Sequence, residues 1–173
     1  MKEQSNAQPE NIESLVADFA SRDGGVRVAA REALVNIGKP AVEALVRTLA
    51  DSRTQLRWEA AKTLGTIADP AAVEALALAL NDKVFDVRWL AATGLIAIGR
   101  EAVTPVLQLV ISCADSTICR ASGHHVLHDL AQQDEDLAQT LAPVLAALDG
   151  VAPSVEVPLA AKTAIAALAG GSP

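Results

Sequence analysis

The histidines of this chain, His124, His125 and His128, stand together in the stretch HHVLH. On a helix His124 and His128 lie four residues apart and share a face, while His125 points elsewhere. Two imidazoles at that spacing can hold a metal, but a site needs a third ligand and groups that orient the rings. Asp129, Asp134 and Asp136 are close in sequence, none at a diagnostic spacing, and no H-E-x-x-H is present. His124 and His128 remain metal candidates without a third ligand, and no metal or cofactor is expected. Cys113 and Cys119, six apart, match no zinc pattern and read as small apolar thiols in a reducing compartment. A Gly-rich phosphate loop and a G-x-S-x-G elbow are both missing, and Gly24-Gly25 and Gly170-Gly171 read as turn and tail glycines. Carboxylates are plentiful but fall in turns and on solvent faces, so no catalytic residue is assigned.

Composition narrows the classes further. Of 173 residues 51% are hydrophobic, enough for a sizeable core, but aromatic residues make up only 2%. Ala and Leu dominate, and both favour helix, whereas a β-sandwich leans on aromatic and β-branched residues. The balance of 14 basic to 21 acidic residues, net −7, lacks the basic footprint of a nucleic-acid binder. No apolar run approaches the ~18–20 residues of a membrane span, and the polar start MKEQSNAQPEN is no secretory signal. The expectation is a cytoplasmic protein that binds neither nucleic acid nor membrane.

What must position any site is a repeat. VRVAAREALVNIG from Val26, LRWEAAKTLGTIA from Leu56 and VRWLAATGLIAIG from Val87 align at a period of 30 or 31 residues. Each is followed by a second match: PAVEALVRTL from Pro40, AVEALALAL from Ala72 and AVTPVLQLV from Ala102. Weaker copies start at Cys119, with a second half at Leu141, and at Val157. Apolar residues recur at helical spacing in both halves, as in Val26, Ala30, Leu34 and Ile37, or Val42, Leu45, Val46 and Leu49. Gly38, Gly99 and Pro40 punctuate the halves, and Asp51, Ser52, Asp82 and Asp86 sit in the turns between repeats. The fold expected is all-α: an α-solenoid of about four to five stacked helix–turn–helix repeats over residues 11–170, with a disordered tail at 1–10 and a short one at 171–173. Repeat four carries about six extra residues around 132–138, expected at the solenoid edge as a protruding loop or an extra helical turn, dispensable for folding.

The V-R-W-x-A-A-x-x-L-x-x-I-G segment followed by A-V-x-x-L resembles HEAT-like repeats of the phycobilisome-lyase type. The resemblance implies a helical superhelix and recognition of another protein, a scaffold rather than an enzyme. Its enzymatic alternative is a bilin lyase or isomerase subunit holding a tetrapyrrole in the same groove. It also implies that the second helices line the concave surface where partners bind. There the expected contact residues are Arg47, Thr48, Leu78, Ala79, Gln108, Leu109 and Ala146, a small and largely apolar face where a solvated helix would carry Lys and Glu. Trp58 and Trp89 share one column of the first helices and are candidate hot spots. Arg27, Arg57, Arg88 and Arg120 share another, which reads either as a basic ladder for an acidic partner or, in preference, as a structural clamp on turn carbonyls or carboxylates. The apolar terminal helix offers a surface for a second copy of the chain.

Overall fold

A computed structural model describes residues 9–170, so the tail expected at 171–173 and the first eight residues of that expected at 1–10 lie outside the described residues. The described chain consists of ten α-helices without a strand. They are α1 (Pro9–Ala17), α2 (Gly24–Ile37), α3 (Val42–Leu49), α4 (Thr54–Ile67), α5 (Val73–Ala79), α6 (Phe85–Ile98), α7 (Val103–Ser112), α8 (Thr117–Gln133), α9 (Glu135–Leu148) and α10 (Pro153–Gly170). Pro9 and Glu10 already belong to α1, which shortens the expected N-terminal tail.

The first helices α2, α4, α6 and α8 stack in one layer, and α1, α3, α5 and α7 in the other. One hydrophobic cluster runs through both. Its repeat positions are columns: Leu34, Leu64, Leu95 and Leu127 from the first helices, and Leu45, Leu76, Val106 and Val144 from the second, all fully buried. Small residues set how close neighbouring helices within a layer come. A Cβ on Gly94 would stand 2.9 Å from the Gly65 Cα, so α4 and α6 meet backbone to backbone there.

Each of the first three repeats turns from its first helix to its second through a short 3-10 segment: Lys39–Ala41, Pro70–Ala72 and Arg100–Ala102. The residue ending the first helix has positive φ each time: Gly38 at 69°, Ala68 at 52° and Gly99 at 91°. Two repeats meet that demand with glycine, whereas Ala68 accepts the left-handed conformation at a cost of about 1–2 kcal/mol.

Repeat four departs from this plan. Its helices α8 and α9 are joined by Asp134 alone, with no 3-10 turn. The extra residues have become helix: α8 has 17 residues against 14 in α2, α4 and α6, and α9 has 14 against 8, 7 and 10 in α3, α5 and α7. The expected extra helical turn is present and the protruding loop is not. Leu137 is buried, so part of the segment expected at the solenoid edge packs into the core instead. The stacking also changes, because α9 lies against α8 and α10, and α10 packs back on α7.

Cys113 and Cys119 correct a second expectation. Cys113 ends α7, Cys119 opens α8, their Cα atoms are 6.2 Å apart, and the sulfurs are joined in a disulfide rather than free.

Candidate functional site

The arginine column behaves as a clamp. Arg27, Arg57, Arg88 and Arg120 each donate from Nη1 to a turn carbonyl six residues earlier, those of Ser21, Asp51, Asp82 and Ala114, at 2.7–3.0 Å. One geometry repeated four times is a property of the fold, and it fixes where the rest of each guanidinium can reach. Arg57 turns Nε and Nη2 to both oxygens of Asp82 in the next repeat, at 2.6 and 3.1 Å. Arg27 and Arg31 converge on the buried Glu59 of the next repeat, which also accepts from Gln55. Arg88 has no carboxylate partner among the described residues, and its guanidinium lies 5.5 Å from the Phe85 ring centre.

The Arg57–Asp82 pair has a pH consequence. Burial raises the Asp82 carboxyl, but the Arg57 hydrogen bonds, the Val84 N–H and the adjacent positive charges outweigh it and hold it below 3.8. A depressed folded value adds stability above the unfolded value, and that contribution is lost as pH falls through the folded one. Asp82→Asn should therefore be destabilised relative to the parent at about pH 6, with a narrower gap at about pH 3, where protonation of the carboxyl has begun to remove the contribution. Parallel urea titrations at both pH values check this; a gap independent of pH would show that the charge of Asp82 adds nothing.

The expected contact residues divide into two strips. Arg47, Leu78, Gln108 and Ala146 are exposed, whereas Thr48, Ala79 and Leu109 are buried, as is Ala147 in the same column of repeat four. Thr48 and Leu109 are thus enclosed rather than presented, the Thr48 hydroxyl donating to the Ala44 carbonyl, whereas Ala79 still lines a cavity of about 420 Å³ together with Leu78. Of the exposed strip only Leu78, at 71% exposure, is a large apolar side chain. Arg47 is engaged by Glu13 and Glu43. The apolar surface of the second helices is gathered between α3 and α5, where Val46, Leu49, Ala75, Leu78 and Ala79 line that cavity.

The larger apolar surface lies across the first helices. Trp89 is 52% exposed, with Phe85 (61%) one turn before it and Ile118 (47%) facing it from α8. The Trp89 ring stacks on His125 at 5.1 Å between centres and lies 6.3 Å from Phe85. Together they wall a cavity of about 310 Å³ between α6 and α8. Trp58 lines the cleft between α2 and α4 from its α4 side, at the place Ala121 takes between α6 and α8, and is half-buried, with the Arg31 guanidinium 5.8 Å from its ring. Comparing the α2/α4 cleft with the α6/α8 cleft at equal repeat positions shows why they differ. Val28 becomes Trp89, Arg31 becomes Ala92, Gln55 becomes Ile118 and Glu59 becomes Ser122, while Arg27 is kept as Arg88. A column-by-column reading of these substitutions was the signal in the sequence that would have located this cleft.

The histidines stay apart from any ligand set. His124 and His128 do share a face, their rings stacked at 5.7 Å, but His124 reaches Asp149 at 3.3 Å and His128 contacts Gln132 and Asp129. Among the described residues no three His, Cys, Asp or Glu side chains gather as a metal site would require. No described helix is long and apolar enough to cross a membrane. At the far end of the solenoid Val155 and Leu159 project from α10.

Residues 42–127 match the family model of HEAT repeats. Among solved structures, one similar chain comes from the complex of CpcE and CpcF of phycocyanin lyase from Nostoc sp. PCC7120. It is 24% identical with a TM-score of 0.58, over 88% of this chain and 99% of that one. An engineered protein aligns at 21% identity and a TM-score of 0.46, over 96% of this chain and 87% of that one. No curated protein matches the sequence. With its stacked helix pairs and repeated arginine clamp, the chain carries HEAT repeats and folds as an α-solenoid, a fold it shares with the phycocyanin-lyase chain.

Proposed function

We propose that this solenoid is a non-catalytic scaffold that recognises another protein. The observation carrying the reading is the patch of Phe85, Trp89 and Ile118, three large apolar side chains exposed side by side on a fold whose columns elsewhere bury their leucines. Exposed aromatic residues gathered over a cavity are typical of interface hot spots. Leu78 and Gln108 on the second-helix strip form a second contact surface in this proposal. The CpcE–CpcF neighbour is itself part of a two-protein complex, which fits the same role.

Immobilised protein used to capture partners from its native host should retain a defined protein. Trp89→Asp, a change at an already exposed position, should release it with the thermal midpoint unchanged. Leu78→Asp tests the second-helix strip in the same way. Full retention by both variants would overturn the reading.

A bilin lyase or isomerase subunit is the second reading. The stacked rings of Trp89 and His125 are the feature that favours it, since a flat tetrapyrrole lies well on such a surface. A shift in bilin absorbance on mixing, lost in Trp89→Asp, would choose it over the scaffold.

A further inference from the structure

We infer that the α6/α8 cleft docks a peptide segment carrying an Asp or Glu beside a large apolar residue, the apolar side chain seated against Trp89 and the carboxylate on Arg88. The inference rests on the protein-recognition reading and names the chemistry of the segment recognised.

The argument comes from the two clefts that share one register. Between α2 and α4, Arg27 holds its turn carbonyl and is neutralised by Glu59 from the next repeat at 3.1 Å. Between α6 and α8 the same arginine position is kept, as is its bond to the turn carbonyl, at 2.8 Å. The carboxylate position now holds Ser122, whose hydroxyl has no hydrogen-bond partner among the described residues. The other arrangement used in this chain, Arg57 with Asp82, is also closed to Arg88. The turn residue corresponding to Asp82 in the next repeat is Ala114, which offers only its carbonyl, and that is taken by Arg120.

A guanidinium is thus held in place by its own repeat, with the complementary charge removed, at the rim of a cavity walled mainly by apolar side chains, with Thr117, Ser122 and His125 as its polar members. Guanidinium–carboxylate bonds are stronger and more directional than neutral ones. Flanking by Phe85, Trp89 and Ile118 limits the water that would screen such a contact. The cavity of about 310 Å³ suits one large side chain rather than a folded surface, hence a segment. The pairing therefore asks for both features in one ligand: apolar bulk for the cavity and a carboxylate within a residue of it.

The chain's two tryptophans make the test self-controlled, because each cleft carries one. The probe is N-acetyl-Asp-Phe-amide, with N-acetyl-Asn-Phe-amide as its neutral twin, titrated into 15N-labelled protein while the two indole N–H signals are followed. The expected result is a saturable shift of the Trp89 signal, with the Asp peptide bound about tenfold more tightly than the Asn peptide. The Trp58 signal should stay still, since Glu59 already occupies its arginines. Ser122→Glu restores the carboxylate that Glu59 supplies elsewhere and should abolish the preference without loss of stability. Arg88→Gln should abolish it as well. Equal binding of the two peptides, equal movement of both indoles, or an acid preference that survives Ser122→Glu would overturn the inference. Such a failure leaves capture of a protein through Trp89 standing. Conversely, an acid-selective cleft in a protein that captures no partner would sink the scaffold reading alone.

Discussion

Leu64→Ala is expected to lower the stability of the solenoid by about 2–5 kcal/mol. Leu64 is fully buried in α4, whose neighbours α2 and α6 stand on either side in the same layer. The truncated side chain leaves a void that these helices cannot readily close, because α4 and α6 are already in backbone contact at Gly65 and Gly94. A repeat array couples each unit to its neighbours, so the loss spreads beyond one helix pair. Urea unfolding followed by circular dichroism measures the change. Leu78→Ala is the control: its side chain is exposed, and its effect should stay within about 0.5 kcal/mol. Equal stability of the two variants would mean that the columns Leu34, Leu64, Leu95 and Leu127 are out of register.

The columns were legible because a solenoid repeats its environment along with its sequence. Residues that recur every 30 or 31 positions meet the same neighbours, so periodicity alone identifies Leu64 as core and Arg57 as a clamp on its own turn. The same logic explains what was misread. Thr48 and Leu109 are of moderate size, which suits a smooth exposed groove and a tightly enclosed column equally well; helix spacing does not separate the two. The disulfide was hidden for a related reason. Cys113 and Cys119 flank the turn between α7 and α8, and only the angle of that turn brings their Cα atoms to 6.2 Å. The α6/α8 cleft was half visible: Trp89 stood out as an aromatic residue, while the loss of a carboxylate from Glu59 to Ser122 shows only when one repeat position is compared across alternate repeats. Swapped stacking at α9 and α10 left no trace in the pattern, since an apolar stripe does not specify which helix covers it.

Deleting Gln133 to Ala138 is expected to unfold the C-terminal part of the molecule rather than trim an edge. The segment contains Asp134, the one residue that separates α8 from α9. Asp134 caps α9, its carboxylate accepting from the Asp136 and Leu137 N–H groups at 3.0 and 3.1 Å, and it pairs with Arg100 at 2.6 Å. The Leu137 N–H and the Arg100 guanidinium together hold its carboxyl below the ordinary aspartate value despite some desolvation. Without that break, Gln132 runs directly into Gln139, both in helical sequence, and the favoured outcome is one continuous helix in place of an antiparallel pair. Helix α9 then cannot return along α8, the buried Leu137 is lost, and α10 loses one of its two main supports, α9, keeping only α7. Circular dichroism should show reduced cooperativity and a lower thermal midpoint, and limited proteolysis should cut within 139–170. Two smaller changes apportion the effect: Leu137→Ala at about 2–5 kcal/mol and Asp134→Ala, which removes only the cap and the Arg100 pair, at a smaller cost. If the deletion variant kept the parent's midpoint and protease resistance, the hairpin of α8 and α9 would contribute nothing to the fold, and the packing of α10 on α7 alone would have to hold the end of the solenoid.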